Sequence, residues 1–343
     1  MDETRAHLSS VWATATDLWI ERGIGCRVVD VNGHEYLDFT AGLGAASTGY
    51  AHPKVAAAIA EQAGRIIHSQ INVYRHDLLE PLATKLEEIT PEGIDTFYFG
   101  STSDEIVEAA VKLAKHATDR RNVIAFDGAF HGRTHFDLAM SSSRAIDRAG
   151  YGPLPGGVFI APFPDPHASD QEREVSRALR GLDRIMSTQV AAEKVAAFVI
   201  EPVIGERGYI PTPKGFMEGL ARRCEEHGIL LVADETQSGF GRTGRMFAIE
   251  ALGVQPDILC MAKGIASGFP FSALGTRREL DEKWPTGSHG GTYGGNPMGC
   301  AAALATIEVL TTDGFLAQVD ERGRQLADGL RRLQEHHASI VQV

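Results

Sequence analysis

The sequence predicts an α/β protein built on a mainly parallel sheet, and two features carry that prediction. From about residue 95 onward, short continuous apolar runs recur: NVIAF (122–126), VAAFVI (195–200), ILLVA (229–233) and DILCM (257–261). Apolar runs without polar alternation belong to strands covered on both faces. The segments between them are amphipathic with the helical period. Alternation of such strands and helices builds a parallel sheet with helices on its faces.

The elements follow in order. CRVVDVNGHEYLDF (26–39) holds two strand-like runs around Asn32-Gly33, the signal of a hairpin with a tight turn. HPKVAAAIAEQAGRI (52–66) reads as a helix. Gly100-Ser-Thr-Ser-Asp-Glu105 runs into EIVEAAVKLAK, a helical stretch, and Thr102 and Glu105 stand at capping-box spacing. In GFMEGLARRCEEHG (215–228), Phe216, Leu220 and Cys224 recur every fourth residue and Gly228 is placed to end the helix. The stretch from about Ala317 to His337 is helical and charged. IVQV then reads as the start of a strand, from which a further segment is expected beyond it.

Composition bounds the function. Among 343 residues there are 45 acidic and 33 basic side chains, a net charge of −12, with 43% hydrophobic and 23% charged residues. That excludes a disordered, collagen-like or low-complexity chain and leaves room for one large domain or two modest ones. The acidic balance argues against nucleic acid or an anionic membrane as partner, since phosphate neutralisation requires clustered Lys and Arg. No apolar run approaches the roughly 20 residues of a membrane span. MDETRAHLSS lacks the basic start and apolar core of a signal peptide. Four cysteines lie far apart without a CxxC pair, so neither a metal site nor a disulfide framework is expected. A cytoplasmic protein is the expectation.

In open parallel sheets, ligands sit beyond the carboxyl ends of the strands. The residues that follow the predicted strands are Asp127-Gly-Ala-Phe-His131, Glu201-Pro-Val, Asp234-Glu-Thr-Gln237 and Lys263-Gly264. Any one of these alone is an ordinary strand-end turn; their agreement in polarity points to a site. Lys263 precedes a Gly-rich turn, GIASGFP. A free lysine, with a pKa of about 10.4, is a poor nucleophile at neutral pH. It becomes useful in a pocket where it forms a Schiff base with a carbonyl, as with pyridoxal phosphate. That cofactor also needs a carboxylate at its pyridine nitrogen, and Asp234 is the candidate. At 4 Å and an effective dielectric of 20, such an ion pair interacts by roughly 4 kcal/mol. Its phosphate needs amide donors at a helix N-terminus, and the 100–105 turn offers one. A plain N-cap explains those residues equally well.

At this point the sequence resembles a known family. EPVIGERG (201–208), ADETQSGFGRTG (233–244), AKGIASGFP (262–270) and GGTYGGNPMGCAAALATIEVL (290–310), in that order, resemble the class III aminotransferases, and the likeness begins at VNGHEYLDFTAGLGAASTGYAHPKV. Members of the 4-aminobutyrate and ornithine type look closest. The resemblance implies a fold-type-I pyridoxal-phosphate enzyme with a small α+β domain: residues 1–50 start the small domain, 51–311 form the large cofactor-binding domain, and 312–343 begin the C-terminal small part. It implies that Lys263 is the Schiff-base lysine, that Asp234 pairs with the ring nitrogen, and that Gln237 bonds the ring hydroxyl. Thr236, where the family commonly has Val or Ile, and Phe130 take the two ring faces, with His131 beside Phe130. Thr102, Ser103 and Asp104 take the phosphate. Thr292 reaches across to the partner's phosphate in a homodimer, and Glu206 lies in the substrate pocket. No metal is implied.

The reaction so implied moves an amino group from an amine or amino acid to a 2-oxo acid such as 2-oxoglutarate. Related enzymes isomerise amino-aldehydes or decarboxylate, and a catalytically impaired relative acting as a binding subunit is a further alternative. Glu206 favours the glutamate/2-oxoglutarate transaminases. Three departures stand out: Arg207 where the family usually has Gly, an end at Val343 that leaves out the family's substrate-binding arginine, and Ser103-Asp104 where the family has Gly followed by Ser, Thr or Ala. Asp104 sets a like charge beside a phosphate dianion, opposing binding by roughly 4 kcal/mol per charge pair at that same distance and dielectric. Either Asp104 turns outward or phosphate binding, carried by the amides, is weakened.

Overall fold

The computed structural model describes residues 7–341 and 343. The strands, in chain order, are β1 (Ile20–Ile24), β2 (Arg27–Asp30), β3 (Glu35–Leu37), β4 (Thr96–Gly100), β5 (Asn122–Phe126), β6 (Val158–Ala161), β7 (Val195–Ile200), β8 (Val203–Ile204), β9 (Ile210–Pro211), β10 (Leu230–Asp234), β11 (Ile258–Met261) and β12 (Ser272–Thr276). A seven-stranded sheet has the order β4-β12-β11-β10-β7-β5-β6. The pairs β11–β10, β10–β7, β7–β5 and β5–β6 are parallel; β12 alone runs against its neighbours β11 and β4.

The side-chain period of two divides this sheet into two cores. Phe198, Ile200, Leu231, Ala233, Leu259 and Met261 fall in one; Ala197, Val199, Leu230, Val232, Ile258 and Cys260 fall in the other. All six residues of β7 are buried, as its unbroken apolar run requires. The Ser103–Thr118 helix fills the second core with Ile106, Val107, Ala110, Leu113 and Ala114. The Gln171–Thr188 and Lys214–His227 helices cover the first face, with the Pro297–Leu310 helix. Gly228 takes the left-handed conformation that closes the Lys214–His227 helix, as its position predicts. In the Pro297–Leu310 helix, Gly299 is obligatory because a Cβ there would collide with the Phe271 ring.

The hairpin read around Asn32-Gly33 is present: β2 pairs antiparallel with β3, Gly33 has φ +86°, and Asp30 Oδ1 accepts from the amides of Asn32 and His34 at 2.9 Å. β1 joins it as a third strand that sequence patterning did not reveal, because four of its five residues face solvent. The Phe315–His336 helix forms as expected, and none of its residues is buried. The strand expected at IVQV is not found at Ile340, Val341 or Val343; Gln342 lies outside the described residues. Among the described residues, no single helix is long and apolar enough to cross a membrane.

Candidate active site

Lys263 sits where β11 turns back antiparallel into β12. Its own φ is +46° and that of Ser267 is +50°, left-handed conformations that cost a non-glycine residue roughly 1–3 kcal/mol and collect at functional sites. Gly264 follows because a Cβ there would collide with Ser47 Oγ. The turn is tied to the N-terminal segment by Thr48, whose amide donates to Ser267 Oγ at 3.1 Å. Lys263 Nζ donates to Gln237 Oε1 at 3.0 Å. Burial pushes the Lys263 ammonium below its ordinary pKa, opposed by the charges of Asp234, Glu206, Glu201 and Asp104. The net result is a lysine more readily neutral than a solvated one.

Gln237 is held in the turn that follows β10. Gly205 lies against it, close enough that a Cβ would strike Gln237 Oε1, and Gly44 approaches its Cγ at Cβ-contact distance. Asp234 ends β10 and is buried. Its Oδ2 accepts from His131 Nδ1 at 2.8 Å, and its Oδ1 from the Thr236 amide at 3.1 Å. Burial disfavours charge on His131, but the Asp234 hydrogen bond and the charges of Asp234 and Glu201 outweigh it and raise the imidazole above its ordinary value. His131 is therefore bonded to Asp234 rather than simply flanking Phe130, and its Nε2 has no partner among the described residues.

Glu201 ends β7 and joins two loops. Its Oε1 accepts from the Phe130 amide at 2.8 Å and its Oε2 from the Gly205 amide at 3.0 Å. Burial, with Asp234 nearby, pushes its carboxyl up to about 7, although His131 and the two amides act against this. The strand-end reading placed an acid here, but nothing in the sequence assigned it this bracing position. Glu206 and Arg207 are exposed at the tip of the β8–β9 hairpin, which Gly205 seats on Gln237. The Arg207 guanidinium lies over Gly128 and reaches Asp127 Oδ2 at 3.3 Å.

The Thr102–Asp104 stretch stands at the end of β4. Thr102 caps the helix: its Oγ1 accepts from the Glu105 amide at 3.3 Å, and Glu105 Oε2 accepts from the amides of Ser101 and Thr102. The two next amides, of Ser103 and Asp104, are left without acceptors among the described residues, as the first turn of any helix leaves them. Asp104 Oδ1 is turned to the neighbouring loop, where it accepts from the Arg133 amide at 3.0 Å. Thr292 is exposed in the 290–295 loop and bonds none of these side chains. The fold thus gathers Lys263, Gln237, Asp234 and His131 at one end, Phe130 and Glu206 beside them, and two open amides at the other.

The chain is also similar to known proteins over most of its length. A family model described as "Aminotransferase class-III" matches residues 8–343. 4-Aminobutyrate aminotransferase GabT of Escherichia coli (strain K12) is 40% identical over 327 residues, 95% of this chain and 76% of that one. 5-Aminovalerate aminotransferase DavT of Pseudomonas putida is 39% identical, with the same coverage. Among solved structures, an amine transaminase from an uncultivated Pseudomonas species in its PLP-bound form superposes with a TM-score of 0.89 at 29% identity, covering 97% of this chain and 80% of that one. The chain belongs to the class-III aminotransferases, a family of pyridoxal-phosphate-dependent enzymes that act on amino and 2-oxo compounds.

Proposed function

We propose that Lys263 is the residue to which the cofactor attaches and the base that moves the substrate's proton. The observation that carries this is the half-buried Lys263 Nζ, held at 3.0 Å by Gln237 Oε1 in a turn that Asp234 overlooks from the adjacent strand. The residues present fit pyridoxal phosphate: a desolvated amine, a buried carboxylate with one oxygen braced by His131, and two unpaired helix amides. When bound, that group supplies a carbonyl for the amine and an electron sink for the carbon that loses its proton.

In this reading Asp234 holds the proton on the ring nitrogen, and His131 fixes Asp234 in place. Gln237 bonds the ring hydroxyl, and Phe130 and Thr236 cover the two faces. The amides of Ser103 and Asp104, under the Thr102 cap, take the phosphate. Thr292, exposed on its loop, reaches the phosphate of a partner subunit in a homodimer. Lys263 Nζ, its pKa lowered by burial, first takes the substrate proton and then returns it one step along, as base and then acid. Glu206, at the hairpin tip, faces the substrate.

The donor is an ω-amino acid of the 4-aminobutyrate or 5-aminovalerate kind on which the relatives are named to act, and the acceptor a 2-oxo acid such as 2-oxoglutarate. The first product leaves before the 2-oxo acid binds in the same pocket, so kinetics are ping-pong. The Lys263→Ala variant tests this reading: turnover falls by more than roughly a thousandfold while cofactor still binds without covalent linkage. Normal turnover in that variant would remove Lys263 from the mechanism.

A further inference from the structure

The cup for the phosphate is crowded with carboxyl groups. Asp104 and Glu105 stand in the first turn of the Ser103–Thr118 helix, with Glu108 one turn on. A phosphate dianion at the Ser103 and Asp104 amides tolerates Asp104 only while its carboxylate is kept away. One contact does this, the Arg133 amide on Oδ1. A second group faces the same carboxylate. Gly132 has φ +135°, and a Cβ there would collide with Asp104 Oδ1 and lie 2.6 Å from Asp137 Oδ2, so the two carboxyls share the space that this glycine leaves open.

Asp137 belongs to the short His135–Met140 helix and is fully buried. The Thr134 hydroxyl lies near it but gives its hydrogen to Glu108 Oε1 at 2.6 Å, and among the described residues no other donor reaches either Asp137 oxygen. An ionised carboxylate in that position would be an uncompensated buried charge, so the group keeps its proton. Burial, with the charges of Glu108, Asp104 and Asp234, pushes it up to about 9. A buried carboxylic acid has one hydrogen to give. The acceptor facing it across Gly132 is Asp104.

We propose that Asp137 is a positioning residue: it donates its carboxyl hydrogen to Asp104 across Gly132 and pins that carboxylate against the Arg133 amide, clear of the Ser103 and Asp104 amides. The inference rests on the reading that the cofactor's phosphate lies at those amides. It explains how a helix N-terminus with an aspartate in its anion cup still receives a dianion: the aspartate's charge is spent on a neighbouring acid.

The test uses cofactor-free protein titrated with pyridoxal phosphate and, separately, with pyridoxal, which lacks the phosphate. Absorbance of the bound aldehyde gives a dissociation constant for each. Asp137→Ala releases Asp104 toward the cup and weakens pyridoxal phosphate roughly tenfold or more, with pyridoxal unchanged. Asp137→Asn keeps a donor in place and binds both ligands as the wild type does. In an Asp104→Ala background, Asp137→Ala costs nothing further. Asp104→Ala alone removes the like charge from the cup and leaves the preference for pyridoxal phosphate at or above its wild-type value. An Asp137→Ala protein that binds like wild type, one that loses both ligands equally, or a fall in preference on Asp104→Ala would each overturn the inference. Failure of the wild type to bind either aldehyde would overturn the site itself.

Discussion

At the Lys263 end of the site, the polar groups are paired with one another, His131 Nε2 excepted. Lys263 donates to Gln237, His131 to Asp234, and the amides of Phe130 and Gly205 to Glu201, all between 2.8 and 3.0 Å. At the Ser103–Asp104 end, two amides are open and acidic groups stand around them. One end is organised by complementary charge, the other by keeping a like charge turned aside. The first is held by its own side chains. The second depends on a single glycine and a protonated neighbour.

The largest effect that would break this contrast is at Asp234. Replacing it with Asn removes the charge that supports protonation of a buried imidazole. Breaking a buried pair by deleting one member costs about 3–5 kcal/mol. Asp234→Asn should therefore lower both the thermal midpoint and turnover; a protein with an unchanged midpoint would show that the pair contributes little to the fold.

A smaller effect sharpens the other side. Asp137 keeps its proton in the folded state up to about 9, against an ordinary value of 3.8. A carboxyl whose folded pKa lies above its unfolded one stabilises fully at low pH and loses that contribution as pH rises toward the folded value. Glu201 and Glu235, each raised to about 7, act in the same sense at lower pH, which leaves Asp137 as the carboxyl that sets the slope above neutrality. Between pH 7 and 9, wild-type stability should fall relative to Asp137→Asn by about 1.4 kcal/mol per pH unit. Urea midpoints measured for the two proteins across that range decide it; parallel curves would mean that Asp137 is already ionised.

The smallest effect concerns the helix end itself. Thr102→Ala removes the oxygen that caps the Glu105 amide and half of the capping box. The expected cost is about 1 kcal/mol of stability, read as a lower denaturation midpoint with the Lys263 end untouched. A loss confined to pyridoxal-phosphate affinity, with no change in stability, would make Thr102 a ligand group rather than a cap.

Much of this was legible in the sequence. β5 and β7 stand where the apolar runs predicted, β11 starts one residue later, and β10 is shifted by one residue. These strands carry apolar side chains on both faces, which is why unbroken hydrophobicity reveals them. β12, SALGT, was not read as a strand: its small residues give no pattern, and its place between β11 and β4 is set by long-range pairing. Likewise β1 is exposed and is held by its register to β2.

At the site, Lys263, Asp234 and Gln237 could be picked out because each follows a strand, and strand ends of a parallel sheet converge by construction. The bracing by Glu201, the His131–Asp234 bond and the meeting of Asp104 with Asp137 could not be. The sequence by itself determined which residues end the strands, where the lysine turn lies, and which family the chain resembles, because these follow from local periodicity and short motifs. Only the tertiary structure decided that His131 bonds Asp234 and that Asp104 faces a buried acid over Gly132. Those contacts join segments distant in the chain, and whether two carboxyls repel or share a proton depends on burial and distance, which no stretch of sequence contains.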